Sequence, residues 1–429
     1  MLVGEADNDC NGCGDDYPLD SPCCDLAPAL LHQYEATAPV IGILVGQTGL
    51  MNSDPKLHVV LCAPGFPASS EDFDKPFLLD QTIALTQAGL KVTVVCPSVP
   101  GLPSHQVIAD VEVIRVRYAP RRFETLATTG SMYREARSIK GVWALPMLVA
   151  LTVTTIRQLR TRADIAYGHW WIPGGVVAVI AARCMRRPSL VHLHGSDAAI
   201  TQSAPLRLVA RKILAMVDVR LAVSEELAVW AHELCREQVQ VLPMPLVFER
   251  FSAPSPAPKT GYALAVGRLV PEKGFDVLID AVGLLEETQR PKVSIIGVGP
   301  ERQRLAEQAR RTGVDVHLPG AVPPNQMSDW YRNARYVVVP SRREGFGLVA
   351  AEAAAMARAV VGTKVGGIST LVKDGISGIL VEPDDPRGLA QALLTVDSAM
   401  GESGPEIVAT LSSENHGAYI QQVCEDLLN

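Results

Sequence analysis

The chain has 429 residues, 48% of them hydrophobic and 20% charged, so it is long enough to bury two hydrophobic cores. A net charge of −7 and an isoelectric point near 5.8 exclude a protein that binds nucleic acid through a general excess of Lys and Arg. We therefore expect two domains, and an anionic ligand must be met by local groups.

Residues 1–54 are predicted to be a leader ahead of the folded domains. Acidic residues near its start stand where a secretory signal has basic ones. Four cysteines could bind zinc or an iron–sulfur cluster, although their spacing is not that of a familiar zinc ribbon: Cys10, Cys13, Cys23 and Cys24. The alternative is a disordered acidic leader, with Met51 as the natural start of the protein.

The sequence predicts no membrane span, because a span takes about 20 consecutive apolar residues. The apolar stretch 36–51 is too short, and the stretch 142–156 contains Pro146 and is predicted to form a buried helix. Without a span or a secretory signal, we expect a cytosolic protein whose thiols stay reduced.

From Leu57 onwards, short β-branched runs alternate with helical stretches, which is the pattern of βαβ units around a parallel sheet. Strands are predicted at LHVVLCAP, KVTVVCP, VEVIRVRY, ADIAYGH, SLVHLHG and VRLAVS. Helices are predicted over residues 77–88, 156–162, 176–182 and 206–217. These elements indicate a first domain over residues 55–251.

A second series follows the proline-rich stretch SAPSPAPKT, residues 252–260, which is typical of a semi-rigid linker. Its strands are GYALAVGRL, KVSIIGVG, VDVHLPG, ARYVVVPS, ARAVVGTKVGG and SGILVEP, giving a second domain over residues 261–412. A last helix, 413–429, could pack back on the first domain. The predicted fold is α/β, with two doubly wound, Rossmann-like parallel-sheet domains that face each other across a cleft. Ligands of such sheets bind at the carboxyl ends of the strands.

Two loops of the second domain carry candidate ligand groups at strand ends. In GRLVPEKGF, Gly267 ends a strand, and Arg268 and Lys273 combine a planar fork with a point charge, which suits a diphosphate. In GVGPE, Gly297 would give a tight turn that admits a flat ligand. The alternatives are a solvated loop and a plain strand-to-helix turn.

The stretch SRREGFGLVAAEAAA, residues 341–355, carries two carboxylates eight positions apart, Glu344 and Glu352. Between them, two glycines precede a predicted helix, whose N-terminus is an anion site because its N–H groups are free and its dipole is positive. The acids could then accept hydrogen bonds from ligand hydroxyls. Alternatively, Glu344 is a charge favoured at a helix start and Glu352 an exposed helix residue.

Together with IIGVGPE and VHLPGAV, these motifs resemble the donor half of GT-B retaining glycosyltransferases of family GT4, and the resemblance covers nearly all of residues 57–429. It implies transfer from a nucleotide-diphosphate sugar without a metal or other cofactor. Glu344 would contact hydroxyls of the donor sugar and Glu352 the ribose, while Arg268 and Lys273 would hold the diphosphate. Backbone N–H groups would complete the cradle: Gly345, Phe346, Gly347 and Leu348.

The resemblance also implies a role for HLHGSD in the first, acceptor-side domain, where His194 would face the donor sugar across the cleft. The alternative for His194 is a core or capping role, and Asp197 could cap the helix that follows. His169 ends a neighbouring strand and could line the acceptor side, whereas Trp170 and Trp171 could be packing residues.

Three segments depart from the family pattern. The loop after the first strand reads GFPASSEDFDKPF, with Lys75 and Pro76 about where a glycine is usual. Either Lys75 adds a charge contact to the donor or this loop does not touch it. The segments PMPLVF, 243–248, and ARAVV, 357–361, also differ from the family, which puts local geometry in doubt more than chemistry.

The acceptor is less defined by the sequence, as are the base and sugar of the donor. Residues 111–162 hold ten Arg or Lys against three Glu, and this basic stretch could rest on anionic lipid and reach a lipid-linked sugar. An ordinary solvated face is the alternative. Three other functions stay open: a sugar-nucleotide epimerase or hydrolase of the same fold, a glycoside hydrolase using the two Glu, and a non-catalytic nucleotide-sugar-binding protein.

Overall fold

Two separate sheets form the framework of the computed structural model, which describes residues 57–127, 132, 139–251 and 255–429. The eight strands of the first sheet are β1 Leu57–Cys62, β2 Leu90–Pro97, β3 His105–Ile108, β4 Val111–Val116, β5 Ile165–His169, β6 Ser189–Leu193, β7 Val219–Ala222 and β8 Gln240–Val241. Their order is β3-β4-β2-β1-β5-β6-β7-β8. All neighbours pair in parallel except β3 and β4.

Helices cover both faces of this sheet: α1 Pro76–Gln87, α2 Ala144–Thr161, α3 Val176–Met185, α4 Ser196–Ile200, α5 Ala204–Met216 and α6 Glu225–Cys235. Strand residues are buried on both sides, as expected of a parallel sheet. In β1, Val59 and Leu61 pack towards α1, while Val60 and Cys62 pack towards α2 and α3. The helices α2, α3 and α5 thus share one side of the sheet.

The second sheet has six parallel strands: β9 Tyr262–Val266, β10 Val293–Ile296, β11 Val316–Gly320, β12 Ala334–Val339, β13 Val360–Thr363 and β14 Gly378–Val381. Their order is β11-β10-β9-β12-β13-β14. The helices are α7 Phe275–Gly283, α8 Arg302–Thr312, α9 Met327–Asn333, α10 Leu348–Ala355, α11 Ile368–Leu371, α12 Pro386–Thr395, α13 Gly404–Val408 and α14 Ser413–Asp426.

The predicted fold class is confirmed, since both halves are doubly wound parallel α/β units. Sequence reasoning missed β3, a short strand of four residues that is largely exposed and pairs antiparallel at the edge of the sheet. The leader cysteines Cys10, Cys13, Cys23 and Cys24 lie outside the described residues.

Helix α2 corrects two predictions about the stretch 142–156. Residues 141–161 form a helical segment that is long and apolar enough to span a membrane by length and composition, although no span was predicted. Nor is the helix buried as predicted, since only 22% of it lies inside the protein. Its buried stripe recurs every four residues: Met147, Leu151, Thr155 and Leu159. The opposite stripe faces solvent.

The last helix, α14, packs on α1 of the first domain. The approach is close, because a Cβ atom on Gly417 would lie 2.4 Å from the carbonyl oxygen of Ala84. Just before α14, the N–H of Leu246 donates to the carbonyl of Leu411 at 2.7 Å. The chain thus returns to the first domain after completing the second.

A buried hydrogen-bond network joins α14 to the first sheet. The amide nitrogen of Gln81 lies 3.0 Å from Nε2 of His416 and 3.0 Å from the hydroxyl of Tyr167. Tyr167 in turn lies 2.9 Å from Nδ1 of His192, whose Nε2 donates to the carbonyl of Leu242. This pattern needs both imidazoles neutral. Burial agrees, lowering the pKa of His192 to about 4 and that of His416 to about 3.

Candidate active site

The carboxyl edges of the two sheets touch at a pair of glycines. Gly195 follows β6 and Gly345 lies in the loop after β12. A Cβ atom on Gly195 would lie 2.5 Å from the Cα atom of Gly345, so neither position has room for a side chain. A second link crosses nearby, where the N–H of Gly366 donates to Oε2 of Glu226 at 2.8 Å. The cleft is therefore closed at this point, and the candidate residues lie around it.

Two of the predicted residues form an ion pair beside this contact. Lys273 ends a 3-10 turn that follows β9, and its Nζ lies 2.5 Å from Oε2 of Glu344. The hydroxyl of Ser341 lies 3.3 Å from the same oxygen. The side chains of Lys273 and Glu344 are 21% and 16% exposed, so both can reach a ligand while held in place.

The predicted glycines Gly267 and Gly297 end the adjacent strands β9 and β10. Their φ angles of 155° and 142° are rarely adopted by other residues. A Cβ atom on Gly297 would lie 1.9 Å from the carbonyl oxygen of Gly267, so the two backbones meet without side chains between them. Arg268, which directly follows Gly267, is exposed. A flat ligand could therefore approach this edge, with a cation beside it.

Helix α10 begins where the anion site was predicted. Gly347 has φ 90° and ψ 44°, a left-handed conformation that starts the helix at Leu348. Its carbonyl accepts the N–H groups of Ala350 and Ala351, so the N–H groups that precede these two have no partner within the helix. The Phe346 side chain, by contrast, is buried in the core, so only its backbone is placed to bind a ligand.

Glu352 lies one turn further along α10, where the hydroxyl of Tyr331 donates to its Oε2 at 2.5 Å. Burial, with a smaller contribution from the charge of Asp80, raises the pKa of Glu352 to about 7, although the hydrogen bond from Tyr331 lowers it. Asp80 is itself held by Arg250 through two bonds of 2.7 and 2.5 Å. A carboxylate bonded to one hydroxyl can still accept others, so Glu352 can bind a ligand diol. No sequence motif indicated Tyr331, Asp80 or Arg250.

His194 lies at the end of β6, and its Nε2 is 2.9 Å from Nδ1 of His169. Burial holds the pKa of His194 well below its usual range, and so does the neighbouring His192, so the ring is neutral. Asp197 does not cap α4; instead it accepts the N–H of His194 at 2.7 Å and that of Trp171 at 3.0 Å. Burial raises the pKa of Asp197 to about 8. These bonds fix the two strand-end loops to each other.

Aromatic rings surround His194, which sequence reasoning did not foresee. The Trp170 ring lies 4.2 Å from the imidazole, and its indole N–H donates to the hydroxyl of Ser196 at 2.9 Å. The Phe77 ring lies 5.7 Å from the same imidazole. Trp171 is fully buried in the core, so the structure separates a packing tryptophan from one that lies beside the candidate site.

The loop after β1 does contain a glycine, Gly65, which the comparison with the family pattern overlooked. Lys75 adopts φ 59° and ψ 45°, a conformation that glycine usually supplies, and directly precedes α1. Its Nζ lies 3.4 Å from the place where a Cβ atom on Gly65 would be, and it pairs with Asp74. Lys75 therefore lies at the carboxyl end of β1.

The structure thus brings His194, Lys273 and Glu344 to the meeting edges of the two sheets, together with the start of α10. Among the described residues, no group of three or more His, Cys, Asp or Glu side chains is placed to hold a metal ion. The five cysteines of the described ranges are unpaired: Cys62, Cys96, Cys184, Cys235 and Cys424.

Two family profiles match the two domains. Residues 76–247 match the profile described as "Glycosyl transferase 4-like domain", and residues 260–397 match "Glycosyl transferases group 1". The two matches meet at the linker and together cover most of the described chain.

Relatives of this chain are named as glycosyltransferases. The putative teichuronic acid biosynthesis glycosyltransferase TuaC of Bacillus subtilis is 28% identical over 349 residues, which are 76% of this chain and 86% of TuaC. The D-inositol 3-phosphate glycosyltransferase of Kribbella flavida is 32% identical over 276 residues, 56% of this chain and 64% of that enzyme.

Solved structures share the fold. The sucrose-phosphate synthase of Thermosynechococcus elongatus aligns with a TM-score of 0.71 and 19% identity over 87% of this chain and 99% of its own. HepE of Anabaena in complex with UDP-glucose aligns with a TM-score of 0.66 and 18% identity, over 86% of this chain and 99% of its own.

Proposed function

We propose, because this chain belongs to the group 1 glycosyltransferase family, that it transfers a sugar from a nucleotide-diphosphate sugar to an acceptor hydroxyl with retention of anomeric configuration and without a metal ion. One observation carries the proposal more than any other. The ion pair of Lys273 and Glu344 lies beside the N-terminus of α10, where the two domains touch.

The donor fits this arrangement by charge. The diphosphate binds at the N-terminal end of α10, where the N–H groups of Gly347 and Leu348 and the helix dipole attract anions. Lys273 and Arg268 add positive charge on the strand-end side. The acids then accept bonds from hydroxyls, the sugar at Glu344 and the ribose at Glu352.

Transfer proceeds on one face of the sugar. The acceptor oxygen attacks the anomeric carbon on the face from which the diphosphate departs, so the bond from that carbon to the phosphate oxygen breaks as the new glycosidic bond forms. The acceptor proton passes to a diphosphate oxygen. Negative charge develops on the leaving diphosphate, and Lys273, Arg268 and the helix end stabilise it. These groups supply the charge that a metal ion supplies in other transferases.

His194 contributes as a neutral group. Its ring is bonded to His169 and its backbone to Asp197, so its position at the domain contact is fixed. A neutral imidazole next to the cleft can bond a sugar hydroxyl without adding positive charge at the anomeric carbon. Because His194 directly precedes Gly195, which contacts the second domain, His194 can reach the donor only when the two domains are in contact.

The acceptor is proposed to be a hydroxyl of a lipid-linked sugar in polysaccharide or glycolipid assembly, used in the cytoplasm at the inner face of the membrane. Support comes from TuaC, whose name places it in the biosynthesis of a polysaccharide. The cytoplasm is also where nucleotide sugars and reduced thiols such as the five described cysteines occur together.

The test begins with a thermal-shift panel of UDP-, GDP- and ADP-sugars on the full chain. The best donor is then assayed for nucleotide release with and without acceptors, in the presence and absence of EDTA, and the product anomer is read by NMR. We expect acceptor-dependent release that EDTA does not reduce, with retained configuration. Release without acceptor would indicate a hydrolase or epimerase, binding without release a non-catalytic protein, and either result overturns the proposal.

A further inference from the structure

The outer face of the first domain, meaning the solvent side of α2, α3 and α5, differs in composition from the rest of the chain. The three helices form one layer over the sheet, and the guanidinium of Arg183 in α3 donates to the carbonyl of Met216 in α5 at 2.6 Å. Their solvent sides are therefore parts of one continuous surface.

An apolar stripe runs along the exposed side of α2. Leu145, Val149 and Val153 are 69%, 54% and 42% exposed, and Val142 just before the helix is 70% exposed. Their spacing of three or four residues places them on one side of the helix. The neighbouring helices add exposed apolar residues: Ile180, Leu208, Val209 and Met216. Large apolar residues that are exposed on one face are typical of a surface that contacts a partner or a membrane.

The same face is basic in an acidic protein. Helices α2, α3 and α5 contain no Asp or Glu and hold six exposed cations: Arg157, Arg160, Arg183, Arg207, Arg211 and Lys212. Arg157 and Arg160 continue the stripe of α2 by the same spacing and are exposed. Each of α2 and α5 ends just before a strand begins, so their C-terminal ends lie at the edge of the sheet away from the cleft. The arginines of α2 therefore gather at that edge.

Aromatic rings lie at the other end of α2. Trp143 directly precedes the helix and stacks on Phe123 with ring centroids 5.7 Å apart and an angle of 21°. The guanidinium of Arg122 lies over the Phe123 ring at 4.8 Å. Amphipathic rings beside a cation are favoured at the boundary between lipid headgroups and acyl chains.

The basic stretch predicted from the sequence, residues 111–162, contributes only some of its cations to the outer face. Arg115 is buried and bonded to Gln106 and to the backbone of Pro67, and Arg162 is paired with Glu112 at 2.8 Å. These side chains are engaged inside the first domain. The candidate membrane-binding surface is therefore the outer face, which includes α3 and α5, and not the whole of residues 111–162.

We propose that the outer face docks on an anionic lipid bilayer, with the stripe of α2 at the depth of the headgroups and the arginines against lipid phosphates. Apolar residues flanked by cations, with no acid among the helices, fit such a surface better than a protein or a nucleic acid. The docking would hold the cleft beside a lipid-linked acceptor. It rests on the proposed function only for that acceptor, since lipid binding needs no donor.

The experiment is co-sedimentation of the full chain with phosphatidylcholine vesicles, with and without phosphatidylglycerol. Two variants probe the face, R157Q/R160Q/R211Q for charge and L145S/V149S/V153S for the stripe. Two matched controls alter exposed residues of the second domain, R311Q/R335Q/R387Q and L284S/I376S/L394S.

We expect binding that needs phosphatidylglycerol and weakens with salt. The charge variant should bind about a hundredfold more weakly, at roughly fivefold for each cation removed. The stripe variant should lose binding as well, and both controls should bind like the unaltered chain.

Binding independent of phosphatidylglycerol, or equal losses in the controls, would overturn the proposal. So would a dimer in sedimentation analysis that the stripe variant dissociates, because the face would then belong to a second copy of the chain. Nucleotide release with a soluble acceptor is measured in parallel. If release fails while vesicle binding persists, the proposed function fails and the docking surface stands.

Discussion

Gly195 and Gly345 meet across the cleft so closely that a methyl group on Gly195 would lie 2.5 Å from the Cα atom of Gly345. They belong to different domains and lie 150 positions apart in the sequence. Because neither residue has a side chain, their backbones can come into direct contact. The contact between the two loops therefore depends on this pair of glycines, and it places His194 next to the loop that carries Glu344.

Replacing Gly195 with Ala should keep the two cleft edges apart. We expect turnover to fall by about a hundredfold, since displacement of about 1 Å at a reacting centre has this effect. Donor affinity should change little, because most of the residues proposed to hold the donor lie in the second domain. Nucleotide release and isothermal calorimetry measure the two quantities. Full turnover in G195A would show that closure at this contact is not required.

Tyr331→Phe should change how donor binding depends on pH. The hydrogen bond from Tyr331 lowers the pKa of Glu352, which burial nevertheless raises to about 7, so the loss of this bond should raise that pKa further. In the proposed donor complex, Glu352 accepts hydrogen bonds from ribose hydroxyls, and it does so most strongly when it is ionised. Donor affinity should therefore rise with pH through about 7 in the unaltered chain and at higher pH in Y331F.

Calorimetric titrations of the donor between pH 6 and pH 8.5 measure this shift, with E352Q as the matched control. The amide of that variant does not titrate, so its affinity should be weak and independent of pH in this range. Identical pH profiles for the unaltered chain and Y331F would contradict the proposed role of Glu352 in donor binding.

The buried histidines make the fold sensitive to acid. His192 and His416 have folded pKa values of about 4 and about 3, below the value near 6.5 of an unfolded histidine. The unfolded chain therefore binds more protons between these limits, so stability is complete above about pH 6.5 and is lost as the pH falls towards 4. Each histidine contributes up to about 1.4 kcal/mol per pH unit.

Urea unfolding at pH 5 to pH 7.5 tests this, with H416Q as a variant whose side chain can hydrogen-bond but cannot take up a proton in this range. We expect a shallower loss of stability with acid in H416Q, by about one proton. An unchanged slope would mean that His416 is already protonated in the folded protein.

The features that could be predicted from the sequence are those set by nearby residues of the chain. Lys273, Glu344 and the start of α10 follow strand ends within a few residues, so topology alone brought them to one edge. Tyr331 and Glu352 come from different helices, and Asp80 and Arg250 lie 170 positions apart. Such pairs depend on tertiary packing, which no local pattern records.

Helix α2 shows a different limit. Val142, just before the helix, and Leu145 within it are apolar like the residues of a core helix, and the sequence therefore predicted that they would be buried. The structure covers only one stripe, because α3 and the sheet reach one side of α2 and nothing else in the described residues covers the other. The apolar sequence was enough to predict the helix. Predicting which side of the helix is buried also requires the positions of the neighbouring elements.

The central claim, that Lys273 stabilises the charge on the departing diphosphate, is tested most directly by nucleotide release in Lys273→Ala. The matched control is Lys292→Ala, an exposed lysine at the amino end of β10, at the far edge of the same sheet. We predict that K273A lowers turnover by about 10²–10³-fold and weakens donor binding much less, while K292A changes neither. Undiminished turnover in K273A would contradict the account.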